Sequence, residues 1–378
     1  MAFYENELSR LVEQLNRKAA PDRTADDLSL DKILALAVQK NASDLLFVAG
    51  SPITHRIRGA LMLAQAPPLL PEDIRALLLP LLSAAQLEEL ETSRSLDFCF
   101  VRGSIGRFRA NFHYQRGTLA ASIRLLPAHV PSLESLHLPL TLAALAERKQ
   151  GLILLTGPTG CGKTSTLAAL IDLINERRRD HIITIEEPVE YQHANRNSIV
   201  EQIEVGQDTP SFAHAVRAVL RQDPDVILVG EMRDSETMAA ALTAAETGHL
   251  VLSSLHTNDA SQTMSRILDL LPSGHQTQMR QQLSLALLAV IAQQLVPAAD
   301  HTGRYPAIEI MIATSGIRNL IRTGQDHQIR THISTGRKEG MMTMEQSLAD
   351  LVRAGRILRA TAYEHCYHLG ELTQYLEI

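Results

Sequence analysis

Tryptophan is absent from this sequence, and aromatic residues fill only 4% of its 378 positions. Channels that track single-stranded nucleic acid stack bases on aromatic platforms inside basic grooves. A net charge of −6, from 36 basic and 42 acidic residues, adds no general pull toward nucleic acid, so no nucleic-acid partner is expected. The short run Arg177-Arg178-Arg179 reads as a solvated helix end, favoured by the negative C-terminal dipole. Cysteine is scarce as well. Cys99, Cys161 and Cys366 are widely separated and form no C-x-x-C pair, which indicates neither a disulfide framework nor a zinc ribbon. Long hydrophobic runs are missing: the longest, around Leu283 to Ala292, is too short to span a bilayer. The first residues place Glu5, Glu7 and Arg10 among apolar ones and carry no signal-peptide core. These absences together predict a cytoplasmic protein. What is present, 45% apolar and 21% charged residues, is the composition of an ordinary globular chain with room for roughly two or three domains.

Periodicity divides the chain. Residues 2–17 place Phe3, Leu8, Leu11, Val12 and Leu15 on one helical face, and a polar linker follows, so 1–27 reads as an N-terminal helix and linker. Residues 28–126 alternate short strand-like runs with helices and predict a small mixed α+β domain. Pro127, Pro131 and Pro139 mark 127–150 as a semi-stiff linker with an entry helix. From 151 to 378 strand-like runs (Leu152–Thr156, His181–Ile185, Val226–Val229, Leu250–Ser253) alternate with helical stretches. That rhythm implies a parallel sheet covered on both faces. The remainder from Asp259 reads as mainly helical, broken by one strand-like run, Tyr305–Ile312.

One motif dominates. Gly157, Pro158, Thr159, Gly160, Cys161, Gly162, Lys163 and Thr164 fit G-x-x-x-x-G-K-[ST] without a mismatch, between an apolar strand and a helical pattern that begins at Ser165. In that context the loop's N–H groups and the helix N-terminus close around phosphate oxygens. Lys163 then reaches the β/γ-phosphates of a nucleoside triphosphate, and Thr164 offers its hydroxyl to Mg²⁺. Hydrolysis needs acids at the same edge, where ligands of open parallel sheets bind. Val226–Val229 runs into Gly230-Glu231, and Ile182–Ile185 runs into Glu186-Glu187. Glu231 is the candidate for Mg²⁺, through water, and Glu186 for the general base; each alone reads more readily as a solvated strand-end carboxylate, but two of them on strands expected to lie beside the loop strand reverse that reading. His249 and His256 flank the next strand at an odd spacing, which sends them to opposite faces and argues against a shared metal. A single histidine near the phosphates, His256, sensing the γ-phosphate, is the better expectation, with a merely packed histidine as the alternative.

These elements together resemble the type IV pilus retraction ATPase (PilT) family, among the secretion ATPases of RecA-like fold. The resemblance is carried by GPTGCGKTSTLAAL at 157–170, ITIEEPVE at 183–190, LRQDPDVILVGEMRD at 220–234 and LTAAETGHLVLSSLHTNDA at 242–260. GIRNLIR at 316–322 resembles the family's retraction motif, and a packed amphipathic helix is its plainer reading. The resemblance implies an α/β, RecA-like P-loop ATPase core with a smaller N-terminal PAS-like domain, working as a homohexamer. It implies retraction of type IV pili at the inner-membrane face, with a pilus platform protein and a partner pilus ATPase as protein partners. It also assigns Arg109 and Arg124, in the basic segment 106–124, to the γ-phosphate. Glu187 departs from the family's usual Asp. The rival expectations are a pilus-assembly or type II/IV secretion ATPase, and a weakly active regulatory paralogue.

Overall fold

The computed structural model describes residues 29–57, 59–269 and 273–377. The amphipathic pattern at 2–17 and the linker after it lie outside the described residues. The chain divides between Ala128 and His129 into two compact units.

In the first unit, helix α1 (Leu30–Gln39) is followed by β1 (Asp44–Phe47), β2 (Thr54–Ile57) and β3 (Ala60–Leu63). Helices α2 (Pro71–Leu78) and α3 (Ala84–Ser93) lead to β4 (Ser95–Arg102), β5 (Gly106–Gln115) and β6 (Thr118–Leu125). The strands form one sheet in the order β3-β2-β1-β6-β5-β4, every pairing antiparallel. Strict alternation in β5 buries Phe108, Ala110 and Phe112 against the helices and turns Arg107, Arg109 and Asn111 to the other face. β2 and β3 form a two-stranded hairpin whose turn contains Gly59 at φ +84°.

The second unit is built on a seven-stranded sheet. Its strands are β7 (Gly151–Thr156), β8 (His181–Glu186), β9 (Ile199–Glu204), β10 (Val226–Val229), β11 (Leu250–Leu255), β12 (Leu287–Pro297) and β13 (Arg304–Ile312). They lie in the order β13-β12-β7-β11-β10-β8-β9, all parallel except the antiparallel edge β13. The apolar runs of β7, β10 and β11 are buried throughout because helices cover both faces. Leu152 and Leu154 join one core, with helices α6 (Phe212–Val219), α7 (Ser235–Glu246), α8 (Ala260–Asp269), α9 (Gln276–Ala286) and α10 (Ser315–Thr323). Ile153 and Leu155 join the other, with α4 (Ala143–Ala146) and α5 (Lys163–Arg177). The architecture is the expected α/β P-loop core of RecA-like type with a smaller α+β domain before it.

Two expectations are corrected. The stretch after Asp259 is not helical up to Tyr305. Its apolar run becomes β12, eleven residues long with β7 on one side and β13 on the other, because a mainly apolar segment fits a buried inner strand as well as a buried helix. The strand β9, with its mixed polar sequence, carried no periodic signal and was not anticipated.

Candidate active site

The phosphate loop connects β7 to α5, and its shape depends on two glycines. Gly157 sits at φ +143°, and a Cβ there would meet the Gln293 carbonyl at 2.1 Å. Gly162 sits at φ +91°, where a Cβ would meet Gln293 Nε2 at 2.8 Å. Only glycine fits such positions. Gln293, on β12, acts as a staple: its Nε2 donates to the Cys161 carbonyl (2.6 Å), and its Oε1 accepts from Thr166 Oγ1 (2.9 Å). Gly162 is also the N-cap of α5 and supplies no side-chain cap, so the first-turn N–H groups are left for an external acceptor.

Lys163 is buried. Its Nζ donates to the carbonyls of Gly157 (2.7 Å) and Pro158 (3.2 Å) and lies 3.4 Å from His256 Nδ1. Desolvation holds this ammonium below its ordinary value, with the nearby Glu231 charge acting in the opposite direction. A desolvated cation beside uncapped helix N–H groups is a fitting donor set for a polyphosphate. Thr164 and Ser165 follow in the first turn, and Ser165 Oγ is 2.8 Å from Tyr191 Oη.

The acids stand where successive strands end. The sequence had suggested that β8 and β10 flank the loop strand; the sheet order instead puts β11 between β7 and β10. His256, directly after β11, therefore comes between the loop and Glu231, and its Nε2 is 3.2 Å from Glu231 Oε1. Glu231 Oε2 pairs with Arg233 Nε at 2.9 Å, and Arg233 Nη1 reaches Glu187 at 3.0 Å. The Thr164 hydroxyl and Glu231 carboxylate are hard oxygen donors of the kind Mg²⁺ takes. His249 lies at the opposite end of β11, its Nδ1 2.9 Å from the Ala244 carbonyl at the end of α7, so the two histidines are a strand length apart.

Glu186 closes β8 and is 8% exposed. Its Oε1 accepts from Thr184 Oγ1 (2.7 Å) and Gln202 Nε2 (3.3 Å). Burial pushes its carboxyl up to about 7, against the opposing effect of those hydrogen bonds. A carboxylate poised there can take a proton near neutral pH.

Arg109 and Arg124 belong to the first unit. They face each other in the β5–β6 register, and Arg124 Nε donates to Asp44 Oδ1 at 2.8 Å. The segment 316–322 lies within α10. Ile317, Leu320 and Ile321 are buried as its amphipathic pattern required, while Arg318 donates at 2.6 Å to the carbonyls of Ser284 and Leu285 at the end of α9.

Gln293, Gln202, Tyr191 and Arg233 were missed from sequence. Only Gln293 left a trace there, as part of a polar pair inside the apolar run of β12.

The model of the family described as "Type II/IV secretion system protein" matches residues 135–368. The chain belongs to that family. Among relatives, a type IV pilus retraction ATPase of Pseudomonas aeruginosa, PilT, is 40% identical over 89% of this chain and 98% of its own length. The type IV pilus ATPase PilU of the same organism is 39% identical over 91% of this chain and 90% of its own length. A crystal structure of the pilus retraction motor PilT with bound ADP superposes with a TM-score of 0.86 at 45% identity, covering 92% of this chain and 99% of that one. This family member is a P-loop ATPase, similar over most of its length to proteins named as type IV pilus ATPases. No helix among the described residues is long and apolar enough to cross a membrane.

Proposed function

We propose that this ATPase hydrolyses MgATP to retract type IV pili, working as a homohexamer at the cytoplasmic face of the inner membrane on a pilus platform protein, with a partner pilus ATPase. The observation that carries the reading is the near full-length likeness to an ADP-bound retraction motor. Lys163 and the first-turn N–H groups of α5 hold the phosphates. Thr164 and Glu231 would hold Mg²⁺, which would neutralise charge on the phosphates. Glu186 orients and deprotonates the attacking water. His256 senses the γ-phosphate from its place between Lys163 and Glu231.

Arg109 and Arg124 act as arginine fingers on the γ-phosphate. Like charges directly opposed across strands cost about 0.2–1 kcal/mol. Asp44 offsets one of them, and a phosphate would offset the other. Glu187, in place of the family's usual Asp, pairs with Arg233 at 3.0 Å.

The test is a count of surface pili and of twitching in cells whose chromosomal copy carries Lys163→Ala. Retraction predicts excess pili and lost motility. Normal or absent pili would move the function to assembly or secretion.

A further inference from the structure

We propose that Gln202 and Thr184 are positioning residues for Glu186, and that Gln202, through Tyr191, ties this carboxylate to the helix that carries Lys163. The inference rests on the reading of Glu186 as the base.

The geometry starts from strand alternation. Thr184 and Glu186 are two apart on β8 and share a face. In the parallel β8–β9 pairing Gln202 lies opposite Thr184, which brings it to the same face. Both side chains donate to one oxygen, Glu186 Oε1, Thr184 at 2.7 Å and Gln202 at 3.3 Å. A glutamate at a strand end has three side-chain torsions to fix. Two donors on one oxygen remove that freedom, and a base must sit within a fraction of an ångström of its proton.

The orientation of Gln202 is set by its partners. Its Oε1 accepts from the His193 backbone N–H at 2.9 Å, and its Nε2 also donates to the Tyr191 carbonyl at 2.8 Å. A flipped amide would set oxygen against a carbonyl and a carboxylate, and NH₂ against an N–H. Tyr191, held at its carbonyl by Gln202, meets Ser165 Oγ with its hydroxyl at 2.8 Å. Ser165 directly follows Thr164. One hydrogen-bonded frame therefore joins the first turn of α5 to Glu186 without passing through Glu231. A purely structural role, stapling residues 191–193 to β9, is the alternative to be separated by experiment.

The full-length protein is compared as Thr184→Val, Thr184→Ser, Gln202→Met and Glu186→Gln. The readouts are kcat, KM for MgATP, ADP affinity and melting temperature. The positioning role predicts that Thr184→Val and Gln202→Met each lower kcat about tenfold to a hundredfold. Their KM and ADP affinity should stay within about twofold of the parent. Thr184→Ser, which keeps the hydroxyl, should keep the parent kcat. Parental kcat in both impaired variants would overturn the proposal, as would losses of affinity parallel to those of kcat. Should Gln202→Met fail to fold, the Thr184 pair decides: equal impairment of Val and Ser contradicts the role. Parental turnover in Glu186→Gln would sink the base reading itself. Loss there with full activity in the Thr184 and Gln202 variants would sink the positioning role alone.

Discussion

His256 Nε2 lies 3.2 Å from Glu231 Oε1, joining the ends of two neighbouring strands, β11 and β10. The other ring nitrogen, Nδ1, lies 3.4 Å from Lys163 Nζ. An ammonium can only donate and a carboxylate only accept, so a neutral ring with its proton on Nε2 satisfies both contacts. The histidine thus links the group proposed to hold phosphate with the group proposed to hold the metal.

His256→Ala should therefore separate binding from turnover. Lys163 keeps its carbonyl partners and the loop keeps its shape, while Glu231 loses one of its two anchors. Turnover should fall by about tenfold to a hundredfold, with nucleotide affinity changed only a few-fold. Steady-state hydrolysis beside direct ADP titration checks this, and an unchanged kcat would leave His256 as a packed histidine.

The phosphate loop should depend on a residue outside its motif. Gln293→Leu removes both the donor to the Cys161 carbonyl and the acceptor for Thr166. Both sites are buried, so stability should drop by about 1–3 kcal/mol. Nucleotide affinity should weaken with it. Chemical denaturation and ADP titration measure the two effects, and parental values in both would show that the glycines shape the loop unaided.

How much of this was legible follows the range of the contacts. The phosphate motif, the four strands it needs and the acids closing two of them were readable, because each depends on a local run and its neighbours. The order of strands was not. Nothing local says that β11 lies between β7 and β10, so the Lys163–His256–Glu231 contact had to wait for the sheet. Gln293 and Gln202 act over 132 and 16 positions of sequence, on the loop and on Glu186, and no spacing rule reaches that far. β12 was misread because its apolar run has neither helical nor alternating period; burial on both faces removes the signal.

A pH dependence follows from Glu186. Burial raises its carboxyl from the ordinary 4.5 to about 7. Between those values the folded protein holds a proton that the unfolded chain releases, so stability falls as pH rises through this window. The loss attributable to this group is about 3 kcal/mol, complete above the folded value. Glu186→Gln carries no such penalty. It should be more stable than the parent by about 1–3 kcal/mol at pH 8, with the gain vanishing toward pH 4.5. Denaturation curves at the two pH values test this; a gain independent of pH would contradict it. As a base, Glu186 should also make turnover decline below neutral pH, where it becomes protonated.

The most direct test of the account is steady-state ATP hydrolysis by purified Glu186→Gln protein, with nucleotide affinity measured on the same sample. A carboxylate that deprotonates water for a nucleotide held by the loop predicts hydrolysis lost by about 10²–10⁴-fold while ADP and ATP bind as in the parent. Undiminished hydrolysis would contradict it and remove Glu186 from the role of base.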